Sequence, residues 1–148
     1  FLALILICIP VPVCAEDCIF DETVYKEFIK NYAKENQDAR IGAHGETLLV
    51  SRNNEEILIS GGGCTHLGAS IELRTKQEYH GKGFLQKTLE LSTEFGGWLI
   101  NIKALKTAIE KGQYHITDGI YIVDVDAMTV FNASLVKPGV INIDFYIN

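Results

Sequence analysis

The chain has 148 residues and a formal net charge of -6, from 19 acidic and 13 basic side chains. A hydrophobic content of 47% and a charged content of 22% are ordinary for a globular protein, and the length suits one domain with its own core. The basic side chains form no cluster, so the electrostatic signature of a nucleic-acid-binding protein is missing.

An apolar run opens the sequence at Phe1–Ile9 and is interrupted by prolines at positions 10 and 12. Small residues at Val13 and Ala15, followed by the acidic pair Glu16-Asp17, are typical of a signal-peptidase site. We therefore predict a signal peptide over residues 1–15, cleaved after Ala15, and a single domain over residues 16–148. The alternative is that the apolar run forms a buried strand of the folded protein.

Membrane attachment is another use of such a run, and the sequence argues against it. A transmembrane helix needs about 20 apolar residues, and this stretch is shorter and contains proline. Neither Cys14 nor Cys18 follows the small-residue sequence expected before a lipidated cysteine. We expect a periplasmic or secreted protein that is not inserted in a membrane after processing.

Two cysteines, Cys18 and Cys64, remain after the predicted cleavage. An even pair in an exported chain indicates one disulfide, because the compartment is oxidising. The bond would close a loop of about 45 residues, for which the chain-entropy estimate of stabilisation is roughly 4 kcal/mol. It would tie the start of the mature chain to the middle of the sheet; two free thiols are the alternative.

The first predicted elements are one helix and a hairpin. Apolar residues at helical spacing predict a helix over Phe20–Asn36, with Asp21 as its N-cap. The polar residues 36–45 predict a loop. Strands are predicted over Thr47–Ser51 and Glu56–Ser60, joined by a turn at Asn53-Asn54.

The longest alternating apolar stretch of the chain is Ile57–Arg74, interrupted once by glycines 61–63. Alternation on both sides of the glycines predicts two strand segments joined by a bulge or a sharp bend. Beyond the bend, alternation places Leu67, Ala69, Ile71 and Leu73 on one face of the strand, and His66, Ser70, Glu72 and Arg74 on the other.

The second half of the chain is predicted to contain two helices and three strands. A polar loop over residues 75–83 precedes a helix over Phe84–Phe95, and Asn101 caps a further helix that runs to Lys111. Strands follow over Gly119–Asp126, Val130–Val136 and Val140–Ile147, the last two joined at Lys137-Pro138-Gly139.

Helices and strands are therefore segregated along the chain, which favours an α+β fold over a parallel doubly wound one. We predict an antiparallel sheet of about five to six strands with two to three helices packed on one face. The pattern shows no internal repeat, low-complexity segment or linker.

Cys64-Thr65-His66 is the first candidate for chemistry, because residues two apart on a strand point the same way and could share a metal or form a thiolate–imidazole pair. The predicted disulfide would occupy Cys64. A metal carrier would need His44 and His80 to converge on His66 from loops. We predict neither a metal nor a cofactor, and no catalytic residue.

Three further patterns have ordinary structural interpretations. The glycines at 61–63 and Gly81-Lys82-Gly83 lack the spacing of phosphate-binding loops. Asp124 and Asp126 share a predicted strand face, where alternating acids are common at solvent-exposed sheet surfaces. Asn132-Ala133-Ser134 is a glycosylation sequon, relevant only to a eukaryotic protein.

These observations favour a small exported binding or inhibitory protein that acts on a protein partner and not on nucleic acid; the sequence does not define its oligomeric state. In type, though in no particular motif, such an acidic α+β domain resembles bacterial periplasmic inhibitor and immunity proteins. The predicted binding residues are Gly62, His66, Ser70, Glu72 and Arg74. The alternative is a small periplasmic hydrolase or ligand-binding enzyme that uses His66 with Glu72, Asp124 or Asp126.

Overall fold

The structure is a computed structural model that describes residues 21–62 and 67–147. Its helices are α1 (Glu22–Glu35), α2 (Gly81–Phe95) and α3 (Ile102–Glu110), with a single 3-10 turn at Ala43–Gly45. Its strands are β1 (Ala39–Ile41), β2 (Thr47–Arg52), β3 (Glu55–Gly61), β4 (Leu67–Thr75), β5 (His115–Thr117), β6 (Ile120–Asp124), β7 (Thr129–Lys137) and β8 (Val140–Ile147).

All eight strands belong to one antiparallel sheet, in the order β1-β2-β3-β4-β8-β7-β6-β5. The fold is therefore α+β, as predicted, but the predicted number of five to six strands is wrong. The two extra strands, β1 and β5, lie at the two edges of the sheet. Each has only three residues, too few for an alternating pattern to be recognised in the sequence.

The two halves of the described chain share an architecture. α1 precedes the four neighbouring strands β1 to β4, and α2 with α3 precedes the four neighbouring strands β5 to β8. The last strands of the two halves, β4 and β8, pair with each other at the centre of the sheet. The fold therefore repeats a unit that the sequence pattern did not reveal.

Local chemistry explains where the elements begin and turn. The Asp21 carboxylate accepts hydrogen bonds from the amides of Thr23 and Val24 and caps α1, and Asn101 caps α3 in the same way. The β2–β3 turn holds Asn53 and Asn54 at positive φ, 50° and 61°, which asparagine tolerates better than most residues. α2 begins at Gly81, three residues earlier than predicted.

One face of the sheet is buried. Along β4, Ala69, Ile71 and Leu73 are at most 1% exposed. Their cross-strand neighbours continue the buried layer over Ile57, Ile59, Ile141, Ile143 and Phe145. We refer to this side as the buried face.

The helices contribute to the same core. α1 lies against β1 and β2, α2 against β8, and α3 against β6. Tyr25 of α1 is 2% exposed, and its hydroxyl donates to the carbonyl oxygens of Glu46 and Ile59 at 2.9 and 3.1 Å. Burial raises the pKa of Tyr25 to about 12. Within the described ranges, no helix has the length and hydropathy to cross a membrane.

Candidate functional site

The other side of the sheet, which we call the polar face, is formed by residues that alternate with the buried ones. Two rows cross it from strand to strand, because paired residues lie side by side. The first row runs through Arg40, Leu49, Leu58, Glu72, Asn142 and Ser134. The second row runs through Thr47, Ser60, Ser70, Asp144, Asn132 and Ile122.

Three of the predicted binding residues lie on the polar face of the central strand β4. Ser70 is paired with Ser60 on one side and Asp144 on the other. Arg74 Nε lies 2.6 Å from Glu72 Oε1, so these two residues form an exposed ion pair on one strand. Ser70, Glu72 and Arg74 are thus brought together, and their role in binding stays a prediction.

The other two predicted residues lie at the bend before β4. His66, like Cys18, Cys64 and the predicted signal peptide, falls outside the described residues. Gly62 donates its amide hydrogen to the carbonyl of Gly68 at 3.0 Å. A Cβ at position 62 would lie 1.5 Å from the Leu67 carbonyl oxygen, so the backbone that approaches this glycine belongs to the chain itself.

A depression of about 140 Å³ lies on the polar face between β1 and β4. Half-buried Leu49 and Leu58 contribute apolar surface to it. Arg40 and Glu56 also line it, and neither has an ion-pair partner within the described residues. The depression therefore offers an apolar patch bordered by one free cation and one free anion.

Asp144 lies at the middle of the polar face, on β8 between β4 and β7. The side-chain amide of Asn142 donates a hydrogen bond to its Oδ2 at 2.9 Å. Burial raises the pKa of Asp144, and burial together with the Asp144 charge raises the pKa of the neighbouring Tyr146. On the neighbouring strand β7, the Oδ1 atom of Asn132 is buried and accepts no hydrogen bond from the described residues.

Sequence reasoning missed Asp144 and Arg40, and considered Asn132 only as a glycosylation site. The alternation of β8 correctly placed Asn142, Asp144 and Tyr146 together on one face. That Asp144 lies beside Ser70 depends on the β4–β8 register, which joins distant parts of the chain. No local pattern contains that information.

Two carboxylates of the hydrolase alternative, Asp126 and Glu72, have structural contacts in the described part of the chain. Asp126 accepts hydrogen bonds from the amides of Met128 and Thr129 at 2.9 and 2.8 Å and so holds the turn before β7. Glu72 is paired with Arg74. Asp124 is an exposed residue at the end of β6.

The metal-carrier alternative requires His44 and His80 to converge on His66. His44 and His80 are both exposed, and His80 Nε2 lies 3.5 Å from a carboxylate oxygen of Glu78. Over residues 21–62 and 67–147, no group of three or more His, Cys, Asp or Glu side chains could hold a metal ion.

Two half-buried charge clusters lie away from the polar face. Lys87, only 7% exposed, lies 2.8 Å from Glu55 and 3.1 Å from Glu90, and so connects α2 to β3. Arg52 and Glu94 connect β2 to α2. The charges in both clusters are paired between described residues, so removal of one partner would leave the other charge partly buried and uncompensated.

Comparison with protein-family models, curated proteins and solved structures finds no match to this chain.

Proposed function

We propose that the chain is a small exported binding or inhibitory protein, and that a protein partner docks on the polar face of its sheet. In this proposal the three helices pack on the buried face, and the signal peptide directs the domain to the periplasm or the outside of the cell. The supporting observation is the contrast between the two faces of the central strand. Ile71 is fully buried, whereas Ser70, Glu72 and Arg74 are half-buried or exposed.

The size of the polar face supports a protein partner over a small ligand. Eight strands spaced about 4.8 Å apart span roughly 34 Å, and seven residues of a central strand span about 23 Å. The resulting surface is roughly 780 Å², close to the roughly 800 Å² that each partner contributes to a standard protein–protein interface.

The composition of the face also suits a protein interface. Leu49 and Leu58 supply apolar contact area, and unpaired Arg40 and Glu56 lie beside them. Interfaces typically combine an apolar centre with polar groups that fix the orientation of the partner.

The test is to capture a partner from the native compartment with the purified domain and to measure its affinity for variants by calorimetry. Arg74→Glu and His66→Ala are expected to weaken binding at least about tenfold, because each removes a group from the predicted surface. Lys103→Glu, an exposed position on α3, is the matched control and is expected to bind normally. Unchanged affinity of Arg74→Glu and His66→Ala would contradict the proposal.

A further inference from the structure

The centre of the polar face carries a half-buried carboxylate, Asp144, whose paired neighbours Ser70 and Asn132 are uncharged. Asp144 presents two carboxylate oxygens, of which Oδ2 accepts one hydrogen bond, from Asn142. Asn132, paired with Asp144 across the β7–β8 ladder, has a buried Oδ1 atom that accepts no hydrogen bond from the described residues. That atom has essentially no accessible surface, so the acceptor that remains open to an outside donor is the Asp144 carboxylate.

Among residues 21–62 and 67–147, no lysine, arginine or histidine forms an ion pair with Asp144. Every ion pair between described residues involves other carboxylates, and Asp144 takes part in none. The residues outside the described ranges contain no lysine or arginine, and His66 is their one basic side chain. Consistent with this, burial is the cause of the raised pKa of Asp144.

We infer that the partner is a basic protein and that one of its lysine or arginine side chains reaches Asp144 at the centre of the polar face. The inference rests on the proposed function and adds the chemistry of the partner. A lysine ammonium group carries three donors and an arginine guanidinium five, whereas the ionised Asp144 carboxylate is an acceptor only. Docking would exclude water and strengthen this charged hydrogen bond.

The net charge of the chain also favours a basic partner. The net charge is -6, so a basic partner is attracted at long range. A second copy of the chain would bring an equal negative charge and another Asp144 to the same face. A metal ion suits the site poorly, since Ca²⁺ takes six to eight oxygen ligands and a sheet surface supplies few.

The site can be probed without the partner, using the side-chain analogues n-butylguanidinium and n-butylammonium. In NMR titrations of the isotope-labelled domain, we expect saturable millimolar-range shifts of the Asn132 and Asn142 side-chain amides. Asp144→Asn, which preserves shape and removes the charge, is expected to weaken these shifts at least about tenfold. Asp124→Asn, an exposed acid on the same face, is the control and is expected to titrate like the wild type. Absent shifts, or equal weakening in both variants, would overturn the inference.

The affinities of a captured partner for two variants distinguish this inference from the proposed function. We expect Asp144→Asn to weaken its binding about 30-fold or more, the cost of truncating a desolvated charge pair. A partner that responds to Arg74→Glu and not to Asp144→Asn would refute the cation at Asp144 and leave the docking face intact. A partner that responds to neither would refute both. Self-association in sedimentation experiments that is lost in Asp144→Asn would show that a second copy occupies the face, which also refutes the inference.

Discussion

Arg52 of β2 and Glu94 of α2 form a two-point ion pair, with Arg52 Nη1 2.7 Å from Glu94 Oε1 and Nη2 against Oε2. Tyr32 of α1 donates its hydroxyl hydrogen to the same Oε1 atom, and the Arg52 guanidinium lies 5.9 Å from the centre of the Phe95 ring. One carboxylate therefore joins two helices and a strand. Because each of the two side chains is about one quarter exposed, the pair is less screened by water than a surface pair.

We expect Glu94→Gln to lower the free energy of unfolding by about 1–3 kcal/mol, because it leaves Arg52 and Tyr32 without their charged acceptor. Urea unfolding at neutral pH measures the change. Glu22→Gln is the matched control, since the pair of Glu22 with Lys26 is exposed on α1 and is expected to contribute less than about 0.5 kcal/mol. Equal effects of the two variants would contradict a structural role for Glu94.

The contribution of Glu94 should depend on pH. Burial acts to raise the pKa of Glu94, and the hydrogen bonds from Arg52 and Tyr32 outweigh it, so the folded pKa lies below the ordinary value of 4.5. The stabilisation is therefore fully present above pH 4.5 and is lost as the pH falls through the folded pKa. The difference in stability between wild type and Glu94→Gln should shrink over that acidic range; a constant difference would contradict this assignment.

The second charge cluster consists of Lys87 with Glu55 and Glu90. We expect Lys87→Met to cost about 3–5 kcal/mol in urea unfolding, because Glu55, which is 12% exposed, would keep a nearly buried charge without its partner. The double variant Lys87→Met/Glu55→Gln should recover much of the loss, since it removes both charges. If the double variant is as unstable as the single one, packing of the lysine stem and not the ion pair explains the effect.

Particular elements show how far the sequence could predict this fold. The alternation in Val140–Ile147 defined β8 with its observed ends, and the asparagines at 53 and 54 defined the β2–β3 turn. Both signals are local. The edge strands β1 and β5 were missed because three residues carry no periodicity, and their strand conformation depends on pairing with β2 and β6.

In the candidate site, too, local patterns were predictable from the sequence and contacts between strands were not. The alternation of β4 correctly placed Ser70, Glu72 and Arg74 on one face, opposite Ile71 and Leu73. Asp144 and Asn132 were not recognised, because they meet Ser70 only through the pairing of β4 with β8 and of β8 with β7. Residue types on a strand reveal which face is polar, whereas the order of the strands decides which polar residues become neighbours.

Asp144→Asn should also change stability, in the opposite direction to Glu94→Gln. Burial raises the folded pKa of Asp144 above its ordinary value of 3.8, so the folded state is favoured below pH 3.8 and loses this advantage as the pH rises through the folded pKa. At pH 7 the variant should therefore be more stable than wild type, by no more than about 1 kcal/mol at this partly exposed group. Thermal unfolding at pH 7 and pH 3 measures this: the gain should vanish at the lower pH, and a loss of stability at pH 7 would contradict the assignment.

Position 139, in the β7–β8 turn, requires glycine because the backbone of Thr75 lies too close for a side chain. Gly139 has φ of +76°, its carbonyl oxygen accepts from the Thr75 amide at 2.8 Å, and a Cβ would lie 2.1 Å from the Thr75 oxygen. We expect Gly139→Ala to destabilise the domain by about 2–4 kcal/mol. Gly112→Ala is the control, because φ is also positive there but no atom lies within 4 Å of the added Cβ, so only about 1–2 kcal/mol is expected. Similar losses in the two variants would show that conformation, and not the contact with Thr75, sets the requirement.

The predicted disulfide joins Cys18 and Cys64, which both lie outside the described residues, but nearby described contacts bear on it. Tyr25, in the first turns of α1, donates to the Ile59 carbonyl near the end of β3. The contact brings together two segments that lead, within a few residues, toward Cys18 and Cys64 respectively. A disulfide requires the two Cα atoms to lie within about 4.4–6.8 Å of each other, and the Cys18–Cys64 bond stays a prediction.

We expect mass spectrometry of the processed protein to show residues 18 and 64 linked and protected from alkylation. Reduction, or the variant Cys18→Ser/Cys64→Ser, should lower the free energy of unfolding by up to about 4 kcal/mol, because the loop of about 45 residues is no longer closed in the unfolded chain. Tyr25→Phe, which removes the neighbouring hydrogen bonds and leaves the cysteines intact, should cost only about 1 kcal/mol. Two free thiols that react with alkylating reagent in the folded protein would refute the disulfide.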